Sequence, residues 1–188
     1  MSGPREADLE LFGDCFACDD ELPIAFHISS PSEVGIANVL SRAEHVLRMI
    51  GNVDEAPSED REDRIGPGSA VAHLDAKLNI ALDLLGTLIA AQNPPPDPQP
   101  IRWSRRGICF RHPRAETPGS SGLLRLYLLH WMPMPVELPA NVLACTAEGA
   151  DFRLWLAFPA TAHALEAAIE RQLFRRHRLL IAVARQLR

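Results

Sequence analysis

Five arginines, Arg102, Arg105, Arg106, Arg111 and Arg114, crowd the 13 residues from 102 to 114. A guanidinium is planar and permanently charged. It can form two parallel hydrogen bonds to a phosphate or to guanine O6 and N7, and it can stack on a base. The cluster therefore has the chemistry to hold an anionic ligand. Along one strand, alternation would put Arg102 and Ser104 on one face and Arg105 on the other. The same charges have a plainer use, as a solvated strand edge that discourages aggregation.

The other chemistry-bearing residues point to core and surface roles. Cys15-Phe16-Ala17-Cys18 is a C-x-x-C without a second pair, whereas a structural zinc site takes four ligands. A thioredoxin-like use needs a βαβ context that the surrounding pattern lacks. These two cysteines read as part of a loose head, and Cys109 and Cys145 as core residues in strands. No two of the seven histidines stand four apart as a metal pair. His45 and His73 fall on helical segments and read as interhelical or solvent-facing. Walker loop, G-x-G-x-x-G and G-x-S-x-G patterns are all missing. The expectation is a chain that is not an enzyme and carries neither metal nor cofactor.

The elements that must position these residues follow from length and pattern. A chain of 188 residues, 47% apolar and 23% charged, is the size of one domain and long enough to bury a core. No apolar run reaches the ~18 residues a membrane span needs. The first ten residues are polar and acidic, unlike a signal peptide, and the expected compartment is the cytoplasm. The net charge of −5 hides an asymmetry: residues 1–65 carry 15 acidic and 5 basic side chains, and residues 101–188 carry 6 and 13. The positive C-terminal half suits an anionic ligand or an acidic partner.

Residues 1–20 read as a flexible acidic head, and Leu22–Ile28 as a strand. Ser30-Pro31-Ser32-Glu33 has the form of a capping box with Pro at the first helical position. Ile36, Val39, Ala43, Val46 and Ile50 follow at spacings of 3 and 4, until Gly51-Asn52 stops the helix. Residues 54–64 are too charged to pack. A second helix, about 36 Å long, places Val71, Leu74, Leu78, Ala81, Leu85 and Leu88 at the same spacings. The proline run from Asn93 to Pro100 ends it. A strict sevenfold rhythm on two consecutive segments is the pattern of supercoiled packing, so these eleven residues are the expected seam of a homo-oligomer.

Strands are expected at Ile101–Arg111, Leu123–Leu129, Val136–Cys145 and Asp151–Phe158, forming a small barrel with Leu22–Ile28. Residues 161–188 read as an amphipathic helix with Leu165, Ile169, Leu173, Leu180 and Val183 on its apolar face. Its six arginines against Glu166 and Glu170 give it a net charge of +4. Nucleic-acid or membrane-surface contact by this helix is a weaker use than plugging the barrel.

At Trp103-Ser104-Arg105-Arg106-Gly107-Ile108 the chain resembles the PilZ family of cyclic di-GMP receptors, whose signature is [D/N]-x-S-x-x-G on a barrel strand. Ser104 and Gly107 match; Arg102 stands at the acidic or amide position. The strand order, the inserted helices and the tail Leu173-Phe174-Arg175-Arg176-His177-Arg178 resemble the atypical subgroup that forms tetramers through heptad helices.

The resemblance implies an α+β fold. Its parts are a small antiparallel PilZ-like barrel over residues 21–188, a long heptad helical hairpin inserted at 30–93, and a C-terminal helix at 161–188. The family's second motif, R-x-x-x-R near the start of the domain, is missing: before Ser41 there is only Arg5. Literal matches at Arg102/Arg106 and Arg171/Arg175 lie elsewhere.

The resemblance thus implies a signalling adaptor with a degenerate nucleotide site. It would be a tetramer, with an unidentified protein partner in pilus, motility or virulence control. The alternative is a working cyclic di-GMP sensor holding its ligand through Arg102, Ser104, Arg105, Arg106 and Gly107.

Overall fold

A computed structural model describes residues 3–29, 33–54, 68–92, 94–129, 134–159 and 163–186. In chain order the elements are α1 (Pro4–Phe12), β1 (Ala17–Ile28), α2 (Glu33–Asp54), α3 (Gly68–Gln92), β2 (Pro98–Ser104), β3 (Gly107–His112), β4 (Ser121–Leu126), β5 (Val136–Glu148), β6 (Asp151–Ala157) and α4 (His163–Gln186). The six strands close into an antiparallel barrel in the order β1-β2-β3-β6-β5-β4.

Period-two alternation builds the barrel interior. Leu22, Ile24 and Phe26 of β1 point inward with Ile101, Trp103, Ile108, Phe110, Leu124, Leu126, Val136, Leu138, Ala140, Val142, Leu154 and Leu156, and all are buried in one core. β1 is long enough to serve two neighbours: Ala17–Pro23 pairs with β2, and Ile24–Ile28 pairs with β4. Pro23 sits where one pairing hands over to the other, a place that tolerates the missing N–H.

The expected strand Ile101–Arg111 is two strands. Arg105 and Arg106 form a tight turn between β2 and β3, which pair through Ile101–Trp103 and Ile108–Phe110. Ser104-Arg105-Arg106-Gly107 interrupts the apolar alternation, and the core-facing phase passes from positions 101 and 103 to positions 108 and 110 across it, a change that one continuous strand does not allow. Gly149, at φ +66°, supplies the left-handed position of the β5–β6 hairpin.

Helices α2 and α4 cover the barrel. Ala43, Val46, Leu47 and Ile50 of α2 join Leu165, Ala168, Ile169 and Leu173 of α4 in the same buried core. This corrects the seam expected along α2: Ala43, Val46 and Ile50 are buried within the chain itself, while Ile36 and Val39 are half-buried. Both packings select the same residues, because any face spaced 3 and 4 covers a sheet as readily as a neighbouring helix.

The α3 stripe differs. Leu74, Leu78, Ala81, Leu85 and Leu88 are exposed, as are Ile80, Leu84 and Ile89 beside them. The side chain of Val71 lies outside the described residues, as do Ser30, Pro31, Ser32 and the charged segment 55–64. On α4, Leu165, Ile169 and Leu173 are buried as expected, but Leu180 is exposed, together with Leu179 and Ile181. No helix among the described residues is long and apolar enough to cross a membrane.

Residues 3–20 also depart from the flexible head expected of them. Pro4–Phe12 is a helix, and β1 begins at Ala17. Pro4 pre-sets the first helical φ, and the Gly3 N–H donates to the Glu6 carboxylate at 3.0 Å. Ala7 and Leu11, four apart, are both fully buried. They pack on Cys109, Ala144 and Trp155, on the outer face of the barrel.

Candidate functional site

The five residues expected to meet a ligand gather at the β2–β3 turn, where α1 ends and α4 passes. Ser104 is completely buried. Its hydroxyl donates to the Leu11 carbonyl at 2.7 Å, and its oxygen accepts the Arg106 backbone N–H at 3.0 Å. One short side chain therefore both closes the turn and caps a helix 93 residues away in sequence.

Gly107 pairs with Ala157 of β6 in a space that admits no side chain. A Cβ there would stand 2.1 Å from the Leu156 carbonyl oxygen and 2.7 Å from Leu11 Cδ2. So both residues that match the family signature contact α1.

The arginines are partly committed as well. Arg106 Nη1 donates to the Glu10 carbonyl at 3.1 Å, the second orphan acceptor in the last turn of α1. Arg105 pairs with Glu170 of α4 at 3.2 Å. Arg102 lies 5.1 Å over the Phe12 ring and 4.0 Å from the Asp19 carboxylate. Arg111 faces Arg153 across the β3–β6 ladder, and the Glu148 carboxylate lies between them, 3.5 Å from Arg111 and 2.6 Å from Arg153. The Arg153 hydrogen bond holds the Glu148 carboxyl below its ordinary pKa. Arg114 is exposed away from this group.

Two hollows border the cluster. One, of about 260 Å³, is lined by Arg105 and Arg106 but also by Glu10, Glu166, Leu11 and Phe158. That is below the roughly 300–1,000 Å³ of ordinary small-molecule pockets. The other, of about 350 Å³, sets Asp8, Asp19 and Asp20 against Arg102, Arg111 and Arg153. In both hollows carboxylates offset the positive field that a phosphate would need.

The sequence reading missed the element that organises this site. Asp8 of α1 accepts the Trp155 indole N–H at 2.6 Å, and Ala7 and Leu11 cover Cys109 and Trp155. The signal was present in Pro4, in Glu6 three residues after Gly3, and in Gly13 just past the end. With nine residues and two anchors, that signal is easily taken for a loose head.

The cysteines are all free thiols. Cys15 Sγ donates to the Leu11 carbonyl at 3.0 Å, and Cys18 is buried on β1 with its thiol pushed up to about 11, chiefly by burial. Burial pushes Cys109 up to about 12, which makes it a poor nucleophile. Among the described residues no group of three or more His, Cys, Asp or Glu side chains is placed to hold a metal ion.

Arg175 and Arg176 of the basic helix have partners within the chain. Arg175 donates to the Ile50 and Gly51 carbonyls at 3.1 and 3.0 Å. Arg176 grips the Asp20 carboxylate through Nε and Nη2 and donates to the Leu128 carbonyl at 2.8 Å.

Comparison with known proteins agrees with this architecture. Residues 47–186 match the family model described as the atypical PilZ domain, cyclic di-GMP receptor. A search of curated proteins returns no match. Among solved structures, a pathogenic protein from Xanthomonas campestris is similar. It is described as a new tetrameric PilZ domain self-assembled via an unusual helical bundle. The two share 36% identity over 95% of this chain and 97% of that one, with a TM-score of 0.80. The barrel, the signature serine and glycine and the match over three quarters of its length together make the chain a member of the atypical PilZ family.

Proposed function

We propose that the protein is a non-catalytic signalling adaptor. It assembles with copies of itself through α3 and presents its barrel to a protein partner, and its nucleotide site is closed. One observation carries the reading: Ser104 and Gly107, the two residues that match the family signature, are occupied by the Leu11 turn of α1. A ligand reaching them would have to displace a buried leucine and two hydrogen bonds to helix-end carbonyls.

The missing N-terminal arginine pair supports the same reading. So do the carboxylates interleaved with Arg102, Arg105 and Arg106. The tetramer reported for the Xanthomonas campestris protein, together with the exposed leucines of α3, supports self-association. A role in pilus, motility or virulence control is what this kind of family member suggests.

Calorimetric titration with cyclic di-GMP tests the closed site. The expected outcome is no binding heat. Saturable binding that Arg106→Ala abolishes would overturn the adaptor reading and establish a sensor with a non-standard arginine site.

A further inference from the structure

The way α1 is held describes a receptor surface for helices. Among the described residues the polar hooks that the barrel extends to it are donors: the Ser104 hydroxyl to the Leu11 carbonyl, Arg106 Nη1 to the Glu10 carbonyl, and the Trp155 indole N–H to the Asp8 carboxylate. The floor is apolar, made of Cys109, Ala144 and Trp155 with Leu143 and Ala157 at its margin. Arg102 borders it and lies over Phe12. An apolar strip whose hydrogen-bonding groups are donors selects the C-terminal turn of a helix, where free carbonyls and the negative end of the dipole lie. It also selects an acidic residue on that helix. The occupant matches: α1 carries Glu6, Asp8 and Glu10 against Arg5, with Ala7 and Leu11 one turn apart on its buried side.

The occupant is also too short to stand as a helix without the barrel. Its nine residues fall short of the ~12–15 at which an isolated helix becomes even marginal in water. Only Ala7 and Leu11 are fully buried, so its folding depends on docking. Such a segment opens locally at far lower cost than the barrel strands beneath it.

We propose that the outer face of β3, β5 and β6 is a docking groove for an acidic amphipathic helix of a partner protein, and that α1 fills it in cis until that helix takes its place. The recognised pattern is the one α1 displays: a small residue followed directly by an acid, and a leucine one turn later at the helix C-terminus. This rests on the adaptor reading and names the surface and partner class it uses. Tethering gives α1 a high effective concentration, so an incoming helix must bring contacts beyond those of α1.

The test uses the full chain with Leu11→Glu, which removes the buried anchor, and a fluorescent peptide spanning residues 3–14 of the native sequence. Anisotropy titration is expected to show saturable binding to the Leu11→Glu chain, at least tenfold weaker binding to the native chain, and loss of binding when Arg106→Ala is added. If the Leu11→Glu chain keeps native circular dichroism and scattering mass yet takes up no peptide, the groove is wrong. Equal binding of a peptide carrying Asp8→Lys and Leu11→Glu also overturns it.

Should Leu11→Glu not fold, amide exchange on the native chain decides. The hydrogen-bonded amides from Ala7 to Phe12 are expected to exchange at least tenfold faster than those of β3 and β6, and equal protection sinks the proposal. An oligomer that gives no heat with cyclic di-GMP and binds no peptide leaves the adaptor reading standing and removes the groove alone.

Discussion

At the scale of single residues, chemistry and position come apart in this protein. Ser104 and Arg106 are suited to gripping an anion, yet their hydrogen bonds go to the carbonyls of Leu11 and Glu10. Helix-end carbonyls carry partial negative charge, so the same donors serve both. Residue type at positions 102–107 therefore shows what the surface can hold, and the packing of α1 against it determines what it does hold.

His112 is a comparable case. It lies 8% exposed at the barrel end, edge-on to Phe26 and Phe110, with Nε2 3.3 Å from Glu116. Burial lowers its pKa below the ordinary 6.5, outweighing the opposing pull of Glu116. The unfolded chain then takes up a proton that the folded chain resists. Stability is complete above about pH 6.5 and falls as the pH drops below it, through the lowered folded value. The thermal midpoint is expected to fall between pH 7 and pH 5, and His112→Gln is expected to flatten that slope. An unchanged slope in the variant would assign the loss to other groups.

At the scale of elements, strand β5 shows how one irregularity serves two surfaces. Strict alternation would send Leu143 outward and Ala144 inward. The register shift between Val142 and Ala144 instead gives both to the α1 side and returns Cys145 to the barrel core. A composition pattern that is apolar on both faces does not disclose such a bulge.

Helix α4 is fixed by hydrogen bonds as well as by its apolar stripe. Gln172 donates to the Leu47 carbonyl at 3.1 Å, Arg175 holds the last turn of α2, and Arg176 ties the helix to β1 through Asp20. The Asp20 side chain is 2% exposed and that of Arg176 21%. Removing one partner strands the other charge in a mostly dry site. Asp20→Ala is expected to cost about 3 kcal/mol in denaturant unfolding. Asp20→Ala combined with Arg176→Met is expected to recover part of that loss. A single-variant loss below about 0.5 kcal/mol would show the pair to be no stronger than a surface bridge.

At the scale of the whole molecule, the single chain leaves an apolar face uncovered. Leu74, Leu78, Leu84, Leu85 and Leu88 of α3 are each more than half exposed. A row of this length is the mark of an interaction surface. With Leu78→Asp and Leu85→Asp together, the light-scattering mass is expected to fall toward the 20.7 kDa of one chain. A mass unchanged by the pair would place the assembly surface elsewhere.

Sequence by itself determined the class of fold. Period-two runs from Leu22 to Ala157 and the 3-and-4 spacings of three long helices specify which residues share the apolar face of each element. They do so because burying apolar area is the largest favourable term and depends only on side-chain identity and phase. Tertiary structure alone decided which of two equivalent stripes stays inside: α2 meets α4 and β5, and α3 keeps its leucines outward. It also decided that a nine-residue acidic segment folds onto Trp155 and closes the signature turn. Those outcomes depend on contacts between positions about a hundred residues apart, and local spacing carries no information about which distant partner a side chain will meet.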